Sequence, residues 1–223
     1  MLAAPPTKCG VSTQRSTQSV DVKAPSLKGE LLEILKEKSV CRGTFTLASG
    51  AQSDFYVDAK QTTGDPGGLI LIGRVGWQIL RQTAAALQVR VDSIGGLTIG
   101  ADAMAFSIGI VAKLEDPSSG LQTFIVRKEA KAHGRHKLIE GNFAAGDSVV
   151  IVDDVITTGG STLQAIDAIE SNGGKIAFVI VLVDRQEGGR ENIEKRGYRV
   201  VPIFTRANLI GTHAGRRPDI TVA

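Results

Sequence analysis

Apolar residues recur along the chain at helical spacing in several segments. One such segment follows Ser26, a good helix N-cap, and continues to Leu35. A longer one begins at Pro66, which suits the first turn of a helix, and continues to Leu80. The remaining helical patterns cover residues 101–111, 162–171 and 191–196.

Short apolar runs lie between these helical patterns. They cover residues 55–57, 93–96, 123–126, 148–152, 175–183 and 198–203. Apolar runs without polar alternation are typical of strands buried on both faces, and their alternation with helices indicates parallel pairing. The sequence therefore predicts an α/β fold with a doubly wound, mainly parallel sheet.

The first 25 residues differ from the rest of the chain. They are rich in Ser, Thr, Gln and Ala, and no acidic residue precedes Asp21. This composition predicts a disordered tail, and a short organelle-targeting peptide is the alternative. Residues 26–223 are predicted to form a single domain, a size that allows a proper core.

Composition excludes several classes of protein. A net charge of +3 and 4% aromatic residues argue against a nucleic-acid partner. No run approaches the roughly 20 apolar residues of a membrane helix. Cys9 and Cys41 have no metal-ligand spacing and indicate no disulfide framework. We expect a cytoplasmic protein without a membrane partner.

Candidate chemistry is concentrated after the apolar run that ends at Val152. Asp153 and Asp154 follow it directly, and hydroxyl residues and the Gly159–Gly160 pair come next, at the start of a predicted helix. Such a turn presents backbone N–H groups to an anion, and the helix dipole adds favourable potential. The alternative is that these side chains simply cap the helix. A nucleotide P-loop is excluded because the Gly-Lys-Ser/Thr ending is missing.

The segment Val149–Thr162 resembles the signature of type I phosphoribosyltransferases. The resemblance implies that Asp153 and Asp154 contact the ribose hydroxyls, and that Thr158 to Ser161 surround the 5-phosphate. The full set of residues implied to bind phosphoribosyl pyrophosphate is Arg127, Lys128, Lys131, His133, Asp153, Asp154, Val155, Ile156, Thr157, Thr158, Gly159, Gly160 and Ser161.

Three further segments are similar to the orotate phosphoribosyltransferase family. They are Phe45–Gly50 with Asp54–Asp58 behind it, Arg127–Gly134, and Val183–Gly188. The resemblance covers residues 27–210. It implies a small N-terminal base-binding hood, transfer of phosphoribosyl to orotate in pyrimidine biosynthesis, Mg²⁺ held mainly by the substrate with no certain protein ligand, and a homodimer that shares an active-site loop.

The same resemblance assigns roles to individual residues. Lys131, His133, Asp153 and Asp154 are the expected catalytic residues, and Lys131 is the expected main stabiliser of the leaving pyrophosphate. The residues expected to bind orotate are Thr157, Arg185, Phe55 and Tyr56. A guanidinium at residue 185 suits a carboxylate because it can donate two parallel hydrogen bonds.

Two positions differ from the pattern of many family members. Ala48 stands where many have lysine, and Thr98–Ile99 stands where many have a Tyr-Lys pair. The departures concern the acceptor base, and two other functions stay open. One is a purine or xanthine phosphoribosyltransferase, and the other is a non-catalytic sensor of phosphoribosyl pyrophosphate that regulates transcription.

Overall fold

The computed structural model describes residues 26–46, 52–129 and 138–210. The predicted tail, Ala48, Lys131 and His133 lie outside these ranges. In chain order the elements are α1 (Leu27–Lys38), β1 (Val40–Thr46), β2 (Gln52–Val57), α2 (Lys60–Thr63), α3 (Pro66–Leu87), β3 (Ser93–Leu97), α4 (Ala101–Glu115), β4 (Gln122–Val126), β5 (Ile139–Gly141), β6 (Ser148–Ile156), α5 (Gly160–Ser171), β7 (Lys175–Asp184), α6 (Gly189–Glu194), β8 (Val200–Thr205) and α7 (Arg206–Ile210).

The main sheet of the described residues has six strands in the order β5-β4-β3-β6-β7-β8. β4, β3, β6, β7 and β8 pair in parallel, and the short β5 pairs antiparallel with β4 at one edge. Helices pack on both faces of the sheet. The chain passes from β3 outward to β4 on one side of β3, and it then returns to form β6 on the other side of β3. The predicted mainly parallel, doubly wound sheet is confirmed.

Strand β6 explains why its apolar run lacks polar alternation. Val150 and Val152 pack in the same core as Ile108 of α4, together with residues of α1 and α3. Val149 and Ile151, which alternate with them, pack with α5 in a second core. Both faces of the strand are therefore buried, as expected for a parallel sheet covered by helices.

Side-chain caps begin two of the predicted helices. The Ser26 hydroxyl accepts a hydrogen bond from the Gly29 N–H at 3.1 Å at the start of α1. The Asp65 carboxylate does the same for the Gly68 N–H at 2.8 Å at the start of α3. Each cap satisfies a backbone donor that has no partner within its helix.

The structure corrects several predicted boundaries. β6 continues to Ile156 and does not end at Val152. Its backbone pairing with β7 extends to Ile156↔Asp184, and this pairing does not depend on whether the side chains are apolar. β8 begins at Val200 instead of residue 198, and α4 continues to Glu115. β1, β5, α2 and α7 had no predicted counterpart.

A separate two-stranded antiparallel sheet, β1-β2, occupies the position of the predicted N-terminal hood. Within the described part of the chain, no helix is both long and apolar enough to cross a membrane.

Candidate active site

The candidate site lies at the carboxyl ends of the parallel strands, where α/β sheets bind ligands. The strand order reverses between β3 and β6, and this reversal opens a crevice at that edge. Asp153 and Asp154 are the sixth and seventh of the nine residues of β6, and the turn to α5 follows the strand. Arg185 follows the end of β7, the neighbouring strand. Residues that are distant in sequence therefore meet at one edge.

The Asp153 carboxylate is buried, and each of its oxygens has one hydrogen-bond partner within the protein. Its two oxygens accept hydrogen bonds from the Thr162 hydroxyl at 2.7 Å and from the Asp154 N–H at 3.0 Å. Burial raises the pKa of Asp153 from 3.8 to about 7, the Thr162 hydrogen bond opposes that rise, and the negative charge of Asp154 adds to it. Thr162, the last hydroxyl residue of the signature segment, therefore holds Asp153 in place.

Asp154 lies where three elements meet. Burial raises the pKa of its carboxyl group, while the positive charge of Lys60 in α2 opposes the rise. Gly100, which precedes α4, is so close that an added Cβ would lie 2.8 Å from Asp154 Oδ1. Burial also raises the pKa of Asp102, and the charge of Asp154 contributes. Sequence reasoning missed Lys60 and Asp102 because neither belongs to the signature segment.

The turn between β6 and α5 leaves the first helical N–H groups without a side-chain cap. Gly159 occupies the N-cap position in a left-handed conformation, with φ 83°, and no side chain of the described residues caps α5. The capping alternative of the sequence analysis is therefore wrong for this helix. Among the hydroxyl residues, Thr158 and Ser161 are exposed and Thr157 is half-buried. Free N–H groups beside exposed hydroxyls form an environment suited to a phosphate.

Helix α6 supports this turn from behind. A Cβ on Gly189 would lie 2.5 Å from the Thr157 carbonyl oxygen and 2.8 Å from the Gly159 nitrogen. The Asn192 side-chain amide donates to the Thr158 carbonyl at 3.1 Å. Neither residue was predicted from the sequence, although the Gly188–Gly189 pair is a visible signal of close backbone approach.

Replacing Gly159 with alanine is expected to weaken the binding of phosphoribosyl pyrophosphate by about tenfold, because a left-handed alanine is strained by roughly 1–2 kcal/mol. Its Cβ would also lie 2.9 Å from the Gly189 carbonyl oxygen. Calorimetric titration measures the effect. Gly146→Ala is the matched control, since Gly146 has a similar φ of 95° but open space around its Cβ. Equal affinities in the wild type and Gly159→Ala would contradict the prediction.

Ile156 and Val155, two residues of the predicted phosphate-binding set, have side chains that pack in the core or at its edge. Ile156 is buried, and its carbonyl accepts a hydrogen bond from the backbone N–H of Arg185 at 3.1 Å. Val155 is half-buried and packs at the edge of the first core. Their side chains therefore support the strand end, and contact with a phosphate would have to come from the backbone.

The beginning of the basic stretch is anchored to the sheet edge. Arg127 follows β4, and its guanidinium pairs with Glu140 of β5 at 3.2 Å. Lys128 is exposed, and its carbonyl accepts the Gln164 side-chain amide of α5 at 3.0 Å. The anchoring places the start of the stretch beside α5, whose first turn follows Gly159.

The predicted base-binding residues meet at the ends of β2 and β7. Arg185 is only 4% exposed, and its Nη2 atom donates to the Phe55 carbonyl at 3.3 Å. The Phe55 ring is buried, and the guanidinium of Arg206 lies 5.7 Å from its centre. Tyr56 is exposed, and its ring lies 5.6 Å from that of Phe45. Since neighbouring strand residues point to opposite faces, the two predicted aromatic side chains face different surroundings.

Carboxylate oxygen is the ligand type that Mg²⁺ prefers, and Asp153 and Asp154 provide it. In the described ranges, no group of three or more His, Cys, Asp or Glu side chains is arranged to hold a metal ion. The chemistry of the two acids is compatible with a cation carried in by a phosphorylated substrate.

Comparisons with known proteins agree with this geometry. The phosphoribosyl transferase domain family matches residues 105–208. An orotate phosphoribosyltransferase of Aquifex aeolicus is 39% identical over 184 residues, covering 81% of this chain and 96% of its own. The orotate phosphoribosyltransferase of Mycobacterium tuberculosis H37Rv, crystallised with Fe(III) dicitrate, superposes with a TM-score of 0.69 at 38% identity, covering 82% of this chain and 99% of its own.

A second crystal structure of the mycobacterial enzyme contains 5-phospho-alpha-D-ribosyl 1-diphosphate. It superposes with a TM-score of 0.66 at 34% identity and covers 82% of this chain and 99% of its own. Each of these three matches covers more than four-fifths of this chain and nearly all of the relative's own length. This chain belongs to the orotate phosphoribosyltransferase family.

Proposed function

We propose that this protein transfers the phosphoribosyl group of phosphoribosyl pyrophosphate to N1 of orotate, giving orotidine 5′-monophosphate and pyrophosphate in pyrimidine biosynthesis. The observation that carries the proposal is one sheet edge with a buried and a half-buried carboxylate on β6, an uncapped helix start after them and a buried arginine directly after β7. Relatives at 37–39% identity that bear the orotate phosphoribosyltransferase name support the choice of acceptor.

In the proposed mechanism, the uncapped turn from Thr157 to Ser161 holds the 5-phosphate through backbone N–H groups and hydroxyls. Asp153 and Asp154 accept hydrogen bonds from the two ribose hydroxyls. As the bond from C1 to pyrophosphate breaks, positive charge grows on the ribose ring, and the nearby carboxylates stabilise that charge. The N1 atom of orotate forms the new bond at C1, with inversion, and its proton is released to the departing pyrophosphate or to solvent.

The raised pKa values of the two acids fit this role. Burial disfavours their ionised forms in the free protein, whereas hydroxyl donors and a nearby cation favour ionisation. Substrate binding is therefore expected to lower both pKa values. Mg²⁺ bound to substrate oxygens would supply Lewis-acid neutralisation of the pyrophosphate charge, and Arg127, Lys128, Lys131 and His133 would add fixed positive charge.

On the acceptor side, the proposal gives Arg185 the task of holding the orotate carboxylate. A guanidinium forms two parallel hydrogen bonds with a carboxylate. A neutral base such as uracil has no carboxylate and cannot form this pair. Thr157 and the aromatic residues Phe55 and Tyr56 complete the proposed base site. The exposed ring of Tyr56 is the better placed of the two to contact a base, because the Phe55 ring is buried.

We also propose a homodimer. Helix α4 carries three exposed apolar side chains at helical spacing, Phe106, Ile110 and Leu114, and Ile99 just before the helix is 80% exposed. Exposed apolar patches of this kind mark protein interfaces. A second copy of the chain is the proposed occupant of this face. The cytoplasmic location stays a prediction from composition.

The first experiment follows the loss of orotate absorbance after addition of phosphoribosyl pyrophosphate and Mg²⁺, with uracil, hypoxanthine and xanthine in parallel. Consumption of orotate alone is the expected result. Consumption of a purine base would mean that the acceptor is that purine and not orotate. Tight binding of phosphoribosyl pyrophosphate without turnover of any base would favour the sensor.

Replacing Arg185 with lysine is expected to raise the KM for orotate by about tenfold. Lysine keeps the positive charge but has no planar guanidinium to donate two parallel hydrogen bonds. The KM for phosphoribosyl pyrophosphate should stay within about twofold, since the two substrates bind at different strand ends. Steady-state kinetics with each substrate varied in turn measures both constants. Arg190→Lys is the matched control, because Arg190 forms a solvent-exposed pair with Glu194. An unchanged orotate KM would place the carboxylate site elsewhere.

A further inference from the structure

Arg185 carries a charge that is nearly removed from solvent. Its side chain is 4% exposed, and its Nε atom has no hydrogen-bond partner among the described residues. A buried guanidinium is costly unless an anion and hydrogen-bond acceptors compensate it. The Phe55 carbonyl supplies one acceptor at 3.3 Å, but it carries no full charge.

The compensating charge belongs to Glu187, only two residues away. Its Oε1 atom lies 2.8 Å from Arg185 Nη2, and its side chain is 31% exposed. The pair is therefore asymmetric: the arginine is enclosed, whereas the glutamate remains in contact with water. Nη2 is shared between Glu187 and Phe55, so together they hold one end of the guanidinium.

The turn that brings the two side chains together is itself tied down. Gln186 has a positive φ of 58°, and its N–H donates to the buried Asp184 carboxylate at 2.7 Å. The Gln186 side chain in turn accepts the Ala207 N–H of α7 at 3.3 Å. A residue held in the left-handed region needs such support from its surroundings. The orientation of Glu187 toward Arg185 is therefore built into the fold.

We infer that Glu187 is a positioning residue for orotate recognition, which neutralises Arg185 and fixes one end of its guanidinium so that the other donors can receive the substrate carboxylate. This inference rests on the proposed function, in which Arg185 binds orotate. Glu187 acts through Arg185 and makes no contact with the reacting atoms. Its influence falls on the binding of the acceptor and leaves the ribose side unchanged.

The test compares steady-state constants of Glu187→Ala with those of the wild type. We expect the KM for orotate to rise about tenfold, the effect of losing a charge-assisted hydrogen bond. The kcat at saturating orotate and the KM for phosphoribosyl pyrophosphate should each change less than about twofold. Glu187→Gln keeps an acceptor oxygen without the charge, and it should restore part of the orotate affinity.

Two controls separate positioning from a structural role. Glu194→Ala removes a glutamate whose pair with Arg190 has the same 2.8 Å distance but is exposed, and it should leave the orotate KM unchanged. In the Arg185→Lys background, Glu187→Ala should raise the orotate KM less than it does alone, because both changes act on one contact. Loss of active protein through misfolding would lower the apparent kcat and leave both KM values unchanged, which would overturn the inference.

The remaining outcomes are equally decisive. A lower orotate KM in Glu187→Ala would mean that Glu187 competes with the substrate, and positioning would be wrong. An unchanged orotate KM, with a raised value in Arg185→Lys, would reject the inference and keep the proposed base site. If Arg185→Lys also leaves the orotate KM unchanged, the base site lies elsewhere and both proposals are wrong.

Discussion

Replacing Lys131 with alanine is expected to lower turnover by about 10²–10³, because the leaving pyrophosphate loses the cation that the family resemblance places against its growing charge. Single-turnover kinetics measures the effect on the chemical step. The melting temperature should stay unchanged, since the prediction concerns charge at the reacting group and not packing. Lys175→Ala is a suitable control because Lys175 is an exposed lysine at the start of β7, the opposite end of the sheet.

The same variant tests whether two subunits share a site. A mixture of Lys131→Ala with an Asp154→Asn variant should regain activity after subunit exchange if the loop of one protomer serves the site of the other. Each variant alone should keep its strongly reduced activity. Near-normal turnover of Lys131→Ala would reject its role as leaving-group stabiliser, and no regain after confirmed exchange would reject the shared site.

Replacing Asp153 with asparagine is expected to lower activity and raise stability. Turnover should fall by about 10²–10³, because the ribose loses a carboxylate that stabilises its positive charge. The free protein should become harder to unfold at pH 8, because a buried charge is replaced by a neutral group of the same shape. The Thr162 hydroxyl still has a partner at this position, so the local packing is kept.

The stability effect has a defined pH window. Burial raises the pKa of Asp153 from 3.8 to about 7, so the wild-type protein binds more protons than the unfolded chain between these values. The contribution of Asp153 to stability is therefore greatest at low pH and is lost as the pH rises toward 7. Asp153→Asn should exceed the wild type in melting temperature by at least about 3 °C at pH 8, the shift that roughly 1 kcal/mol produces in a chain of this size.

The difference should shrink at pH 5, where the wild-type carboxyl group is largely protonated. Calorimetry of the free proteins at both pH values checks this. Asp167→Asn is the matched control, because Asp167 is an exposed partner of Arg196 and its loss should give no stabilisation at either pH. A wild type that is more stable than Asp153→Asn at pH 8 would refute the argument from burial.

The chain pattern was sufficient for the central part of the fold. The runs over residues 148–152 and 175–183 are apolar apart from Ser148 and Lys175, and they form adjacent strands that are mostly buried. The helices after Ser26 and Pro66 were readable because a cap or an N-terminal proline marks each start. Such signals predict helix starts correctly because they depend only on residues that are neighbours in the sequence.

Elements with weak local signals were missed. β5 has three residues and exists through pairing with β4, and α2 has four residues. β1 contains Arg42, Gly43 and Thr44, which interrupt any apolar alternation, and its ladder with β2 is irregular at this point. A strand of this kind depends on its partner more than on its own composition.

The sequence by itself determined the chemistry that the site offers: two adjacent acids, a glycine turn before a helix and a nearby basic stretch, all within continuous segments. Only the tertiary structure decided how these groups are used. Thr162 holds Asp153, Lys60 and Gly100 lie against Asp154, and Arg185 meets Phe55 across 130 positions of sequence. The physical reason is that pKa shifts, charge compensation and close backbone approach depend on burial and on contacts between distant segments, which no local pattern encodes.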